Sequence, residues 1–313
     1  MAGKGSGYGK TILFGEHFVV YGVPALASAI GDATTCIVES VEGMGYELND
    51  DRPEVPGYKE KKFEEQEVSI KNVLDFMGIN LEEKALRITF GGDLVCASGV
   101  GASAASCVSL ARAINEEFSL GWDDEKINDA AYEGEKGYHG TPSGIDNTAS
   151  TFGGLVYFIK NLEGGPNTIE TVKLKKPIEL VIASSGMTAN TAVVVGDVRK
   201  KKEENPEWFD GVVKEYLEVI KEGRQALENM DLERVGHLMN KNHELLQQIT
   251  VSNNVLDKMV QLARDNGAQG AKLTGTGRGG NIIALTPSSE LQDKVFNALK
   301  DAGYPAWKTL IGV

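Results

Sequence analysis

Residues 92–106 read Gly-Asp-Leu-Val-Cys-Ala-Ser-Gly-Val-Gly-Ala-Ser-Ala-Ala-Ser, and this stretch decides how the chain is read. A short apolar run ends in Gly99 and Gly101, and a burst of Ser and Ala follows. Residues 104–118 then carry a helical pattern. Glycine lets the backbone approach a ligand closely and take up positive φ. A helix start presents unpaired N–H groups and the positive end of its dipole. Together these features make an anion site, and phosphate is the commonest anion bound this way. No Gly-Lys-Ser/Thr follows, so this is not a Walker A loop. The spacing after Gly101 also departs from the Gly-x-Gly-x-x-Gly dinucleotide fingerprint. By itself the stretch fits a structural turn as well as a phosphate site.

The rest of the chain narrows the choice. Its 313 residues are long enough for two domains. A net charge of −13 argues against nucleic acid as a partner, because that binding is driven by Lys and Arg on phosphates. It does not exclude a small anionic substrate in a locally basic pocket. Cys36, Cys96 and Cys107 sit in apolar contexts with no metal or Cys-x-x-Cys spacing, so the expectation is reduced, buried thiols and a cytoplasmic compartment. No apolar leader and no run of membrane-spanning length is seen, so no membrane association is expected.

Periodicity predicts strands at 11–14, 36–41, 86–90, 155–159, 178–183 and 281–285. Residues 25–30 read as a buried strand or a short helix. Helices are expected at 68–77, 104–118, 125–132, 255–266 and 291–302, with 190–249 mostly helical. Residues 44–66 carry turn residues and charge and read as an exposed excursion. The fold class from these patterns is mixed α and β with a helix-rich second half. Its natural divide lies near 160–178.

Four segments combine into something more specific than any one of them. The first is Gly9-Lys10-Thr11-Ile12-Leu13-Phe14-Gly15-Glu16-His17-Phe18-Val19-Val20-Tyr21-Gly22. The second is the glycine loop. The third is Gly134-Glu135 with His139-Gly140-Thr141-Pro142-Ser143-Gly144-Ile145-Asp146-Asn147. The fourth is Lys272-Leu273-Thr274-Gly275-Thr276-Gly277-Arg278-Gly279-Gly280. In this order, over essentially the whole chain, the set resembles the GHMP family of small-molecule kinases. The Gly-Glu-His-Phe-Val-Val-Tyr-Gly ending of the first segment is similar to the mevalonate-phosphorylating branch, and the 44–66 excursion with Tyr-His-Gly-Thr-Pro-Ser-Gly at 138–144 resembles its compact trypanosomatid-type members.

That resemblance implies an α+β fold of two domains with the active site in the cleft between them. Residues 1–175 would form a domain like the second domain of ribosomal protein S-five. Residues 176–313 would form a ferredoxin-like domain. It implies ATP and Mg2+ as cofactors, mevalonate as the small-molecule substrate, and leaves a homodimer open. Asp146 would face the substrate hydroxyl as base or orienter, with Lys10 as its catalytic partner. Ser98, Gly99, Gly101, Ala102, Ser103, Ala104, Gly277 and Arg278 would contact the nucleotide. Glu16, His17, Gly144, Asp146, Thr191 and Gly275 would contact the substrate, and Ser103 and Glu135 the metal.

The chemistry of these residues agrees. Phosphoryl transfer needs phosphate charge neutralised, a metal held and a hydroxyl aligned. A cation beside that hydroxyl lowers the cost of removing its proton. Hydroxyl, carboxylate and phosphate oxygens suit a hard cation. The chain departs from the family pattern at Ala97 and Ala102, where Gly and Ser are usual. It departs again at Thr276 and Arg278, within a loop that is otherwise Gly-Ala-Gly-Gly-Gly-Gly. Arg278 reads equally as a phosphate contact or a solvent-facing residue. Thr191 reads as a carboxylate contact, or as part of a helix start that Asn190 caps. His243 reads as structural or as supporting the site from behind, and His139 and His237 as structural. Other readings are a kinase of the same family acting on phosphomevalonate, homoserine or a sugar, or an idle sensor on the same fold. A relative that decarboxylates diphosphomevalonate is disfavoured by Glu16-His17.

Overall fold

The computed structural model describes residues 2–97 and 99–313. Two compact units emerge. Unit 1 holds the chain up to Lys10 and Ala29–Gly153; unit 2 holds Thr11–Ser28 and Gly154–Val313. Strands β1 (Gly3–Phe14) and β2 (Ala25–Val41) each run through both.

In unit 1, β2 pairs antiparallel with β4 (Ala85–Gly92), setting Val38 opposite Ile88 and Cys36 opposite Phe90. β3 (Gly45–Asp50) adds parallel to β4, with Leu48 opposite Ile88. Short α1 (Tyr58–Lys61) leads into α2 (Phe63–Phe76). α3 (Ala102–Glu117), α4 (Asp124–His139) and α5 (Ile145–Phe152) follow. Val38, Ile88 and Phe90 of the sheet meet Ile70, Val73 and Leu74 of α2 in a closed apolar core. Val108, Ala111 and Ile114 of α3 and Ile127, Ala130 and Ala131 of α4 complete it.

The amino-terminal glycines explain how β1 lies on α3. A Cβ on Gly5 would overlap the carbonyl oxygen of Ser109, one on Gly3 that of Ala113, and one on Gly7 that of Ala105. Two residues of strand advance about 6.6 Å and four residues of helix about 6 Å, so the two repeats stay in step. The strand therefore presents a face without side chains to the helix backbone. Gly5→Val is expected to cost about 3 kcal/mol in denaturant unfolding, since the obstacle is backbone and cannot rotate away. Gly211→Ala should act oppositely and stabilise by up to about 1 kcal/mol. Gly211 is helical, and a Cβ there meets open space.

Residues 44–66 are not simply an exposed excursion. They contain β3, α1 and the start of α2. Arg52 among them is buried, held by Asp50 and the Ser106 hydroxyl and lying 5.0 Å over the Phe90 ring.

In unit 2, β5 (Leu155–Ile159) pairs antiparallel with Ala25–Ser28 at the head of β2 and with β6 (Thr168–Val172). A second run of strands uses β7 (Ile178–Ser184), β8 (Gly270–Thr274), β9 (Asn281–Leu285) and β10 (Ala306–Ile311). Its order is β10-β7-β9-β8, with antiparallel neighbours. With α10 (Ser289–Asp301) between β9 and β10, this is the split βαβ, ferredoxin-like order. Between β7 and β8 run α6 (Thr191–Glu204), α7 (Pro206–Asn229), α8 (Leu232–Gln248) and α9 (Asn254–Asp265). α9 buries Leu256, Met259, Val260 and Ala263, the one-sided spacing of an amphipathic helix. Among the described residues no helix is long and apolar enough to cross a membrane.

Candidate active site

In unit 1 the glycine loop is tied to β1 by the Lys10 N–H, which donates to the Val100 carbonyl at 2.8 Å. Gly101, at φ 71°, stands at the N-cap of α3, and among the described residues no side chain caps that helix. A Cβ at Gly101 would sit 2.7 Å from Lys10 Cγ, so glycine is required both for its dihedral and for room beside the lysine. Gly99 also has positive φ, at 86°. The N–H groups of Ala102, Ser103 and Ala104 thus open a helix whose start is left free of side-chain caps, which suits an anion. Ser98, expected among the phosphate contacts, lies outside the described residues.

Asp146 lies in the first turn of α5, where the helix dipole favours a carboxylate. Gly144, at φ 92°, swings the chain into that helix. Asn147 anchors it to α4 by donating to Asn128 Oδ1 at 2.8 Å. This places Asp146 Oδ1 3.2 Å from Lys10 Nζ, on a lysine only 5% exposed.

Glu135 lies on α4, which runs against α2 because Gly134 and Gly137 admit Val73 and Ser69 closely. It is 1% exposed, and among the described residues its Oε1 has no hydrogen-bond partner. Burial, then the nearby Asp146 charge, push its carboxyl up to about 8, while a hydrogen bond with Ser103 and the Lys10 charge work the other way. Lys10, Ser103, Glu135 and Asp146 are therefore one cluster beside the uncapped start of α3. A carboxylate oxygen buried without a partner, next to a second carboxylate and a hydroxyl, fits a divalent cation that also takes phosphate oxygens.

Unit 2 brings together a second set. Gly15, at φ 119°, starts a tight turn in which Val19 N–H returns to the Gly15 carbonyl. Glu16 from this turn forms an ion pair with Lys272 of β8, which is fully buried. Burial pushes the Lys272 amine down, and Glu16 pulls it back up. His17 is buried, with φ 62°, and its Nε2 lies 2.7 Å from the Thr276 carbonyl oxygen. The Thr276 hydroxyl is 2.8 Å from that of Thr191. Asn190, not Thr191, caps α6, accepting from the N–H groups of Ala192 and Val193. Gly277, at φ 74°, packs against the Val251 carbonyl, where a Cβ would clash. Arg278 is not free, and it is only partly exposed. Its guanidinium pairs with Asp197, and its Nε donates to the Thr250 carbonyl at 2.9 Å. Phe18 stacks on Tyr216 at 4.2 Å, and the Tyr216 hydroxyl donates to the Pro24 carbonyl.

Thr276, Asp197 and Tyr216 were not legible as parts of this arrangement. Thr276 lies inside the fourth motif, and its hydroxyl where glycine-rich loops carry alanine was the available signal. Asp197 and Tyr216 carry none.

His243 is structural. Its Nδ1 accepts from the Leu273 N–H at 3.3 Å, so Nε2 carries the proton and donates to Asp257 Oδ1 at 3.1 Å. Burial, then Arg264, hold it neutral, with its pKa lowered to about 4, against the pull of Asp257. Its folded pKa is depressed, so its stabilising contribution is present above 6.5 and is lost as pH falls toward 4. Between pH 6.5 and 5 the loss should be about 2 kcal/mol. Urea melts across that range should show it, and His243→Gln, which cannot titrate, should lack that part of the slope.

Comparisons with known proteins identify the family. Residues 68–154 match the GHMP kinases N-terminal domain family, and residues 224–305 the GHMP kinases C-terminal family. A mevalonate kinase of Thermococcus sibiricus is 33% identical, covering 94% of this chain and 91% of the relative. The crystal structure of L. major mevalonate kinase in complex with R-mevalonate is 42% identical. It superposes with a TM-score of 0.95, over 99% of this chain and 95% of that one. The Methanococcus jannaschii mevalonate kinase structure is 26% identical with a TM-score of 0.81, over 99% and 98% of the two chains.

Proposed function

The chain belongs to the GHMP kinase family, and from that premise we propose that it transfers the γ-phosphoryl group of ATP to the primary hydroxyl of (R)-mevalonate. The product is 5-phosphomevalonate, an isoprenoid precursor. The observation that carries the chemistry is the Lys10–Asp146 pair, 3.2 Å apart beside the glycine loop. The substrate assignment is supported by the 42% identity to a protein crystallised with R-mevalonate.

In this reading Asp146 Oδ orients the hydroxyl and takes its proton as the O–P bond forms. Lys10 stabilises the oxygen as negative charge develops on it. The N–H groups at the start of α3, with Gly99 and Gly101 giving access, cradle the phosphates. Gly277 contributes a second close backbone approach. Ser103 and Glu135 would hold Mg2+, which neutralises phosphate charge when bound. His17 and Thr191 supply polar groups for mevalonate beside Gly275, and Gly144 fixes where Asp146 points. Glu16 acts through its pair with Lys272. Three buried free cysteines suit a reducing cytoplasm.

An acceptor that already carries phosphate would need added cations near the first motif. Phe18 instead fills its space by stacking on Tyr216. The test is ADP release from magnesium-ATP with (R)-mevalonate, run beside phosphomevalonate, homoserine and galactose. Turnover with mevalonate alone is expected. Turnover with another acceptor in its place overturns the substrate, and none with any acceptor overturns the activity.

A further inference from the structure

Arg278 has a backbone conformation that does not favour it. Its φ is 50°, in the left-handed region, inside a loop where four of the six residues 275–280 are glycine. Thr250, which it contacts, also has positive φ, at 63°. Two adjoining non-glycine residues held this way point to a local constraint worth its strain. The side chain shows what that constraint is. One guanidinium nitrogen pairs with Asp197 on α6. Nε donates to the Thr250 carbonyl at 2.9 Å, and another nitrogen lies 3.3 Å from the Thr250 hydroxyl. The Arg278 N–H donates to the Val251 carbonyl at 2.7 Å. The planar fork thus joins three segments: α6, the turn after α8, and the loop itself.

Two residues before Arg278, Thr276 makes the two contacts that matter for the site. Its carbonyl lies 2.7 Å from His17 Nε2, and its hydroxyl 2.8 Å from Thr191. We propose that Arg278 is a positioning residue. With Asp197 and Thr250 it locks the 275–280 loop to α6, and through Thr276 it fixes His17 and Thr191. It does not bind phosphate. The importance of His17 to turnover rests on the function proposed above, whereas the lock itself does not.

The informative variant is Arg278→Gly, which removes the fork and also relieves the strained φ. A merely stabilising residue would, when replaced so, change the melting temperature and leave KM alone. The lock predicts a melting temperature unchanged or raised. It predicts a KM for mevalonate raised about threefold to tenfold, the span of a partly exposed ion pair with its hydrogen bonds. KM for ATP should stay within about twofold. Asp197→Asn should reproduce the mevalonate effect, and the double variant should be no worse than the poorer single one. Arg278→Lys keeps the charge but not the fork and should fall between.

Two readouts need no turnover. Amide exchange at position 278, relative to the intrinsic rate of the residue there, should quicken in both single variants, and the His17 ring resonances should shift in both. A rise in KM for ATP confined to the Arg278 variants, with Asp197→Asn silent, would instead make Arg278 a phosphate contact. Unchanged exchange and unchanged His17 resonances would also overturn the lock. If the wild type fails to turn over mevalonate, the functional reading falls while these two spectroscopic readouts still decide the lock.

Discussion

Asp146→Asn is expected to lower kcat about a thousandfold, with KM for ATP changing by less than about threefold. The substitution keeps the shape of the side chain and its place in the first turn of α5, so the Gly144 bend and the Asn147–Asn128 anchor survive. What it removes is the group that accepts a proton and the negative partner of Lys10. Without that partner, the 5% exposed Lys10 ammonium is left in a poorly solvated place. Steady-state rates with magnesium-ATP and mevalonate, paired with nucleotide binding by calorimetry, separate chemistry from folding and from phosphate binding. A loss of tenfold or less would mean that Asp146 only orients the hydroxyl, since a loose transition state places little demand on a base. A wild-type rate would remove Asp146 from the mechanism. Lys10→Met should also lose kcat, but there the nucleotide can lose affinity too, because Lys10 packs against Gly101 at the loop.

Much of this cluster is legible in sequence because its parts sit where local rules are strong. The Gly99–Gly101 spacing before a run of Ala and Ser gives a loop and a helix at once. α3 then starts at Ala102, two residues before periodicity alone places it. β5 and β9 are read at their observed bounds because both are short apolar runs between turn residues. Other elements are hidden for identifiable reasons. β3 reads Gly-Tyr-Glu-Leu-Asn-Asp, a half-exposed strand at the end of its sheet whose alternation is only Tyr46 and Leu48, too short to stand out among turn-forming Gly, Asn and Asp. α5 reads Ile-Asp-Asn-Thr-Ala-Ser-Thr-Phe, mostly poor helix formers, and is held by packing, since six of its eight residues are buried. β8 contains a lysine with no exposed surface, which no hydropathy pattern would put inside. The charged partners that license such burial, Glu16 for Lys272 and Asp50 for Arg52, become visible only when the chain is folded. The alternating glycines at 3, 5 and 7 carry a period of two, but of missing side chains, and their meaning appears only once α3 lies against them.

The buried pair of Glu16 and Lys272 gives the second large effect. Glu16→Gln leaves the Lys272 ammonium with no charged partner in a place without solvent, and should destabilise by about 3–5 kcal/mol. In a chain of this size that is a drop of roughly 5–8 °C in melting temperature. Lys272→Met alone should cost a similar amount, because it takes the cationic partner from the buried Glu16 carboxylate instead. The double variant Glu16→Gln/Lys272→Met removes both charges and should recover most of the loss, since buried ion pairs often give little net stability over neutral replacements. The pair has a second consequence, and activity separates it from stability. Glu16 is bonded to β8 immediately before His17, whose φ of 62° is unfavourable and must be imposed from outside. An ion pair fixes direction as well as contact, whereas Gln and Met can pack in several ways. A refolded double variant that melts like the wild type is therefore expected to keep its nucleotide affinity and to lose kcat/KM for mevalonate by tenfold or more, about 1.4 kcal/mol. If it is both stable and fully active, packing alone sets the Gly15–His17 turn, and the buried charges have no part in placing the substrate.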